Sequence, residues 1–281
     1  MRILLTGARG FIGRECLAKL RALGEVHALS SSEVDLLEGA PRELLKKLKP
    51  THLVHLAWIA EPGVFWESPL NARWQAASAA LFEAFYAAGG SRVVAAGSCA
   101  EYAPSTTPHA EDATPIAPDT TYGRAKAATC VALRAAAAGE RGWAWMRLFF
   151  PYGPGEHPAR FIPSAINAVL RGETLECTSG TQVRDFIHVR DVASATVLAC
   201  ENHVSGTRAF NVGFGTPRTV GDMAEALSKA LRGPAPIVTG QYRMGDVRHI
   251  TADSSRLRNE LGWEPKIDFL DGMAELARSA E

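Results

Sequence analysis

Apolar residues along this chain come in short runs separated by amphipathic stretches, and that alternation predicts a fold. Ile3-Leu4-Leu5 is too short for a helix and opens the chain as a first strand. Over residues 14–23 the apolar positions return at helical spacing, with Leu17 and Leu20 on one face, and Gly24 closes the helix. Strands are then expected at 26–29, 53–57, 92–96 and 144–150. Helices are expected at 41–48, 71–88 and 122–138. Gly89-Gly90 ends the long alanine-rich helix, and the prolines Pro104, Pro108, Pro115 and Pro118 make 104–118 mostly loop. Strands alternating with helices imply a parallel sheet covered on both faces.

Beyond Pro151-Tyr152-Gly153-Pro154-Gly155 the alternation blurs. Helices are expected at 163–170, 191–200, 220–231 and 270–277, and a strand at 210–212. The pattern reads as an α/β chain with a doubly wound parallel sheet and a smaller lobe interleaved with its end. The boundaries are 1–150 for the sheet domain, with 186–213 returning to it, and 151–185 with 214–281 for the lobe. The alanine-rich runs at 76–80 and 135–138 are helix composition, not disorder, and no repeat is present.

Composition narrows the partners. The 281 residues are 47% hydrophobic, ample for a large core. Thirty basic residues balance thirty acidic ones, so nothing points to a nucleic-acid partner. No run approaches the roughly 20 apolar residues of a membrane span, and the N-terminal apolar stretch reads as a strand rather than a signal peptide. Five cysteines (16, 99, 130, 177 and 200), an odd number without C-x-x-C spacing, predict reduced thiols, a cytoplasmic location and no metal site.

The chemistry begins at Gly7-Ala8-Arg9-Gly10-Phe11-Ile12-Gly13, a glycine-rich turn between the first strand and the first helix. Such a turn lets a pyrophosphate approach the backbone, and the helix start offers free N–H groups and a positive dipole end. This predicts a Rossmann-type dinucleotide site. Tyr122 and Lys126 stand four apart on a predicted helix and share a face. An ammonium beside a phenol stabilises the phenolate and is expected to lower the Tyr122 pKa, suiting it to proton transfer at a carbonyl or alcohol. Taken alone, the pair would equally suit a surface helix. Ser98 follows the fourth strand, at the sheet edge where ligands bind, although a turn or capping serine fits there too.

These residues resemble the extended short-chain dehydrogenase/reductases of the nucleotide-sugar epimerase/dehydratase/reductase group. The resemblance runs nearly end to end. It is carried in order by Thr6–Gly13, Asp35-Leu36-Leu37, His55-Leu56-Ala57, Gly97–Tyr102, Tyr122-Gly123-Arg124-Ala125-Lys126 and Arg147-Leu148-Phe149. It continues through Tyr152–Gly155, Val183–Val189, Asp191-Val192-Ala193, Phe210–Gly213, Gly245–Arg248 and Leu261–Pro265. It implies Tyr122 as acid/base, Lys126 as the group that lowers its pKa and holds the nicotinamide ribose, and Ser98 as the residue that orients the substrate oxygen. It implies cofactor contacts at Gly7, Arg9, Gly10, Phe11, Ile12, Gly13, Ser30, Asp35 (to the adenine), Leu36, Leu56, Ala57 and Phe149. Phe150, Arg184, Arg243 and Asp246 would meet the substrate, the arginines at its diphosphate. It also implies a homodimer built through a helix pair that includes the Tyr122 helix.

Three departures shape the expected reaction. Ser30 stands where an acid would hold the adenosine ribose, and with Arg9 in the turn this tilts the cofactor from NAD toward NADP, although Glu33 is near enough to substitute. Cys99-Ala100 replaces the acidic pair of the sugar dehydratases. Phe150 replaces a frequent asparagine. The chain is also short for the group, which predicts a trimmed substrate lobe. The leading expectation is 4-keto reduction of a nucleotide-activated deoxysugar, with Tyr122 donating the proton. The alternative is a nucleotide-sugar C4 epimerase with tightly bound NAD. A cofactor-binding sensor without chemistry is disfavoured because Ser98, Tyr122 and Lys126 are all present.

Overall fold

A computed structural model describes residues 1–139, 141–173, 176–177, 179–202, 208–233, 237–238 and 249–280, with 176–177 and 237–238 as backbone only. The first half runs β1 (Arg2–Thr6), α1 (Phe11–Arg21), β2 (Glu25–Leu29), α2 (Arg42–Leu48), β3 (His52–His55), α3 (Leu70–Ala87), β4 (Arg92–Ser98), α4 (Thr121–Ala136) and β5 (Gly142–Leu148). Next come β6 (Phe150–Tyr152), α5 (Phe161–Leu170), β7 (Glu176–Cys177), β8 (Val183–Arg184), β9 (Phe186–His188), α6 (Val189–Glu201) and β10 (Arg208–Val212). The chain closes with β11 (Arg218–Thr219), α7 (Val220–Ala230), β12 (Ile237–Val238), α8 (Ser255–Leu261) and α9 (Phe269–Ala280).

Six strands form one parallel sheet in the order β2-β1-β3-β4-β5-β10. The period of two along each strand explains its two dry faces. Ile3, Leu5, Val54 and Val94 face Cys16 and Leu20 of α1 and Val192 and Ala195 of α6. Leu4, Leu53, Val93 and Ala95 face Leu81, Phe82 and Phe85 of α3 and Leu133 of α4. A separate apolar core joins α5, α7 and α9 through Ile162, Met223, Leu227, Phe269 and Met273, with Tyr152 among them. Asp185 ties this region together: its buried carboxylate accepts from the backbone N–H groups of Phe214 (2.7 Å), Gly215 (2.9 Å) and Ala252 (2.9 Å).

The chain steps outward from β1 to β2, then crosses back past β1 to β3. This reversal of direction makes the crevice in which doubly wound sheets bind ligands. On the β2 side the sheet ends after two strands, where a doubly wound order of 3-2-1-4-5-6 has three. On the other side it has four, so the sheet keeps six strands. Two expected strands also end early. The third stops at His55; beyond it the Leu56 N–H still donates to the Thr6 carbonyl and the Ala57 N–H to the Thr6 hydroxyl, each at 3.3 Å. The fifth stops at Leu148, and Phe150 begins a new pairing with Phe186. Among the described residues, no helix is long and apolar enough to cross a membrane.

Candidate active site

A cleft of about 850 Å³ opens along the carboxyl ends of the sheet strands, lined at one end by the glycine turn and at the other by Phe150, Arg160 and Arg184. The turn is shaped for a close ligand. Gly7 has φ +72°, and a Cβ there would lie 2.7 Å from the Ala57 nitrogen. A Cβ on Gly13 would lie 2.0 Å from the Gly7 carbonyl oxygen. Gly10 caps α1 without a side chain, and the first helical turn carries no acid to repel a phosphate. Gly7, Gly10, Phe11, Ile12 and Gly13 line the cleft on this side, with Leu56 and Ala57 across from them. The helix begins at Phe11, earlier than periodicity suggested, because glycines interrupt the apolar pattern but not the helix. A turn whose glycines let backbone pack this tightly, leading into a helix N-terminus without an acid, fits a dinucleotide pyrophosphate.

Ser98, Tyr122 and Lys126 meet at the middle of the same cleft. Ser98 ends β4, and its hydroxyl accepts from the Ala100 N–H at 3.2 Å. Thr120 caps α4 by accepting from the Gly123 N–H at 3.0 Å, which places Tyr122 in the first turn and Lys126 one turn further. The Lys126 Nζ donates to the Ala96 carbonyl at 2.9 Å and lies 5.8 Å from the centre of the Tyr122 ring. Burial pushes the Lys126 ammonium down to about 7, with Glu101 working against the shift. Burial pushes the Tyr122 phenol up, against the pull of the nearby Ser98 hydroxyl. The direction is opposite to the lowered Tyr122 pKa expected from the lysine's spacing, because loss of solvent is the largest influence on the phenol.

Two features escaped the sequence reading. The first is an aromatic wall. Tyr122 is packed edge-on by Phe65 at 4.9 Å, Trp66 at 5.6 Å and Trp58 at 6.5 Å, and Trp58 stacks on Trp74 at 6.1 Å. The Trp66 carbonyl accepts from the Tyr122 N–H at 2.9 Å, so this loop also caps α4. Three of the chain's six tryptophans fall within residues 58–74, a local excess that could have flagged the wall. The second is a buried polar layer under Ser98. Glu101 accepts from the Ser98 N–H (2.8 Å), the Trp145 indole (2.9 Å) and the Arg147 guanidinium (2.8 Å). Arg147 in turn donates to the Tyr102 hydroxyl at 3.0 Å, which donates to Asn211 at 2.7 Å. The Ser98-x-x-Glu101 spacing is a capping box that could have marked Glu101, whereas no short-range pattern ties Trp145, Arg147 or Asn211 to it.

The remaining predicted residues divide. Phe149, Phe150 and Arg184 line the cleft, with the Arg184 guanidinium over the Phe150 ring at 5.2 Å. Arg9 is exposed and does not line the cleft. Ser30, Asp35 and Leu36 also lie outside its lining. Asp35 accepts from the Leu37 N–H at 2.9 Å, Leu36 is buried, and the Ser30 hydroxyl lies 2.9 Å from that of Ser32. Glu33 sits 3.0 Å from His27 on the turn that follows β2. Arg243 and Asp246 lie outside the described residues.

The sequence profile of the NAD dependent epimerase/dehydratase family matches residues 3–213. UDP-glucose 4-epimerase of Azospirillum brasilense is 30% identical over 320 aligned residues, covering 100% of this chain and 92% of that protein. The UDP-glucose 4-epimerase of Rhizobium meliloti is 29% identical, covering 95% and 93%. Among solved structures, MoeE5 in complex with UDP-glucose and NAD superposes with a TM-score of 0.82 at 30% identity, over 100% of both chains. The Thermus thermophilus UDP-glucose 4-epimerase in complex with NAD gives 0.88 at 25% identity, covering 100% and 99%.

Proposed function

We propose that this chain, which belongs to the NAD dependent epimerase/dehydratase family, is a nucleotide-sugar 4-epimerase that works with NAD. Full-length similarity to UDP-glucose 4-epimerases carries the reading and favours it over the 4-keto reduction that the sequence put first. Ser98, Tyr122 and Lys126 gathered in one cleft supply the chemistry that either reaction needs. The absence of an acidic pair at Cys99-Ala100 argues against dehydration. Residues 1–150 with 186–213 would hold the cofactor, and 151–185 with 214–281 the sugar nucleotide.

The dinucleotide, when bound, supplies a reversible hydride acceptor. Gly7, Gly10 and Gly13 would hold its pyrophosphate, with Leu56 and Ala57 on the opposite wall. Tyr122 takes the proton of the sugar 4-hydroxyl as C4 is oxidised and returns it when C4 is reduced on the other face. Ser98 hydrogen-bonds the same oxygen, and Lys126 supports the negative charge on the phenolate. Arg184, stacked on Phe150, would fork onto the diphosphate. NAD is preferred to NADP because MoeE5 and the Thermus thermophilus epimerase hold NAD, and because the Glu33 carboxylate, beside His27 on the turn after β2, would repel a 2′-phosphate there. A homodimer would use α3 and α4, where Val131 is 68% exposed.

Incubation with UDP-glucose or UDP-galactose, followed by NMR of the sugar protons, tests the reading. Interconversion without net nicotinamide consumption is expected. Stoichiometric NADPH oxidation with a 4-keto sugar, and no interconversion, would overturn it.

A further inference from the structure

We propose that the indole of Trp58 is a positioning residue that holds the Lys126 ammonium, as an ammonium, beside Tyr122. The inference rests on reading Tyr122 and Lys126 as the working pair. The Lys126 Nζ stands 3.9 Å from the centre of the Trp58 ring while it donates to the Ala96 carbonyl at 2.9 Å. Trp58 is itself clamped. Its Nε1–H donates to the Asn71 side-chain oxygen at 2.9 Å, and its ring stacks on Trp74 with 29° between planes. Asn71 is fully buried and donates to the Phe65 carbonyl at 2.6 Å and the Ser68 carbonyl at 3.0 Å. A buried polar network, not slack packing, therefore sets where the indole face lies.

The face has a task at that place. Lys126 is 4% exposed, and burial favours its neutral form. The charged and titratable groups around it are few. Glu101 on the turn after β4 favours the ammonium, His55 at the end of β3 is neutral, and Tyr122 lies on α4 itself. An indole face presents the negative lobe of its quadrupole to the cation and has no lone pair to take the proton. It offsets desolvation without competing for the proton that Tyr122 must exchange.

The test follows the Nζ signal of ¹⁵N-lysine-labelled protein across pH, assigned by its loss in Lys126→Met. Trp58→Leu is expected to lower the Lys126 deprotonation midpoint by about one pH unit, while Trp58→Phe stays near the parent. The alkaline limb of kcat for sugar interconversion should move with it, with little change in KM. Global replacement of tryptophan by fluorotryptophans thins the ring's electron density without altering the chain, and should lower the midpoint stepwise even if Trp58→Leu fails to fold. An unchanged or raised midpoint in these proteins overturns the proposal. The NMR midpoint needs no turnover, so a protein that acts on no nucleotide sugar refutes the epimerase reading without deciding this one.

Discussion

The Glu101 carboxylate meets the Arg147 guanidinium at 2.8 Å beneath Ser98, with the two side chains 0% and 7% exposed. A pair this dry must satisfy its remaining hydrogen-bonding capacity, and it does so through Ser98, Trp145 and Tyr102. The Ser98 backbone is thus anchored by a carboxylate that its hydroxyl does not touch.

Glu101→Gln should therefore destabilise the fold by about 3–5 kcal/mol, because it strands a buried guanidinium. Pairing it with Arg147→Met should recover part of that loss, since the uncompensated charge goes too. Urea melts of the two single variants and the double variant measure the coupling. A double variant no more stable than Glu101→Gln would show that the pair is not the anchor.

Tyr122→Phe keeps the ring inside its aromatic wall and removes only the hydroxyl. Turnover should fall about 10²–10⁴-fold while NAD binding persists. Steady-state kinetics beside a dinucleotide titration separate the two effects, and full activity would remove Tyr122 from the mechanism.

Gly13→Ala places a methyl 2.0 Å from the Gly7 carbonyl, against backbone that has no rotamer to yield. A loss of about 1–3 kcal/mol and a collapse of dinucleotide affinity are expected. Thermal melts with and without NAD would read both, and an unaltered shift on adding NAD would contradict the pyrophosphate-binding turn.

His55 is buried between the Thr6 hydroxyl at 2.8 Å and the Ser78 hydroxyl at 2.9 Å. Burial, then the Lys126 charge, hold it down to about 3. Its folded pKa is depressed below the ordinary 6.5, so the stability it contributes is present above that value and is lost as pH falls toward 3. By about pH 4.5 the loss should reach about 2–3 kcal/mol. His55→Gln should be less stable near neutrality and show a shallower acid slope, with His188, held near 4, contributing to what remains. An identical slope in the variant would place the acid sensitivity elsewhere.

What the sequence determined by itself was local. The strand–turn–helix at Gly7–Gly13, the alternation that builds a parallel sheet, and the shared face of Tyr122 and Lys126 each lie within one or two elements, where spacing alone fixes geometry. The ordered motifs around them were enough to reach the family. What the tertiary structure decided were contacts between residues far apart in the chain, and solvent loss. Glu101 finds Arg147 across 46 positions, and the indole of Trp58 finds Lys126 from another strand's end. The charge logic that lowered Tyr122 on paper reversed once burial entered. Desolvation belongs to the packed molecule and not to any spacing of letters.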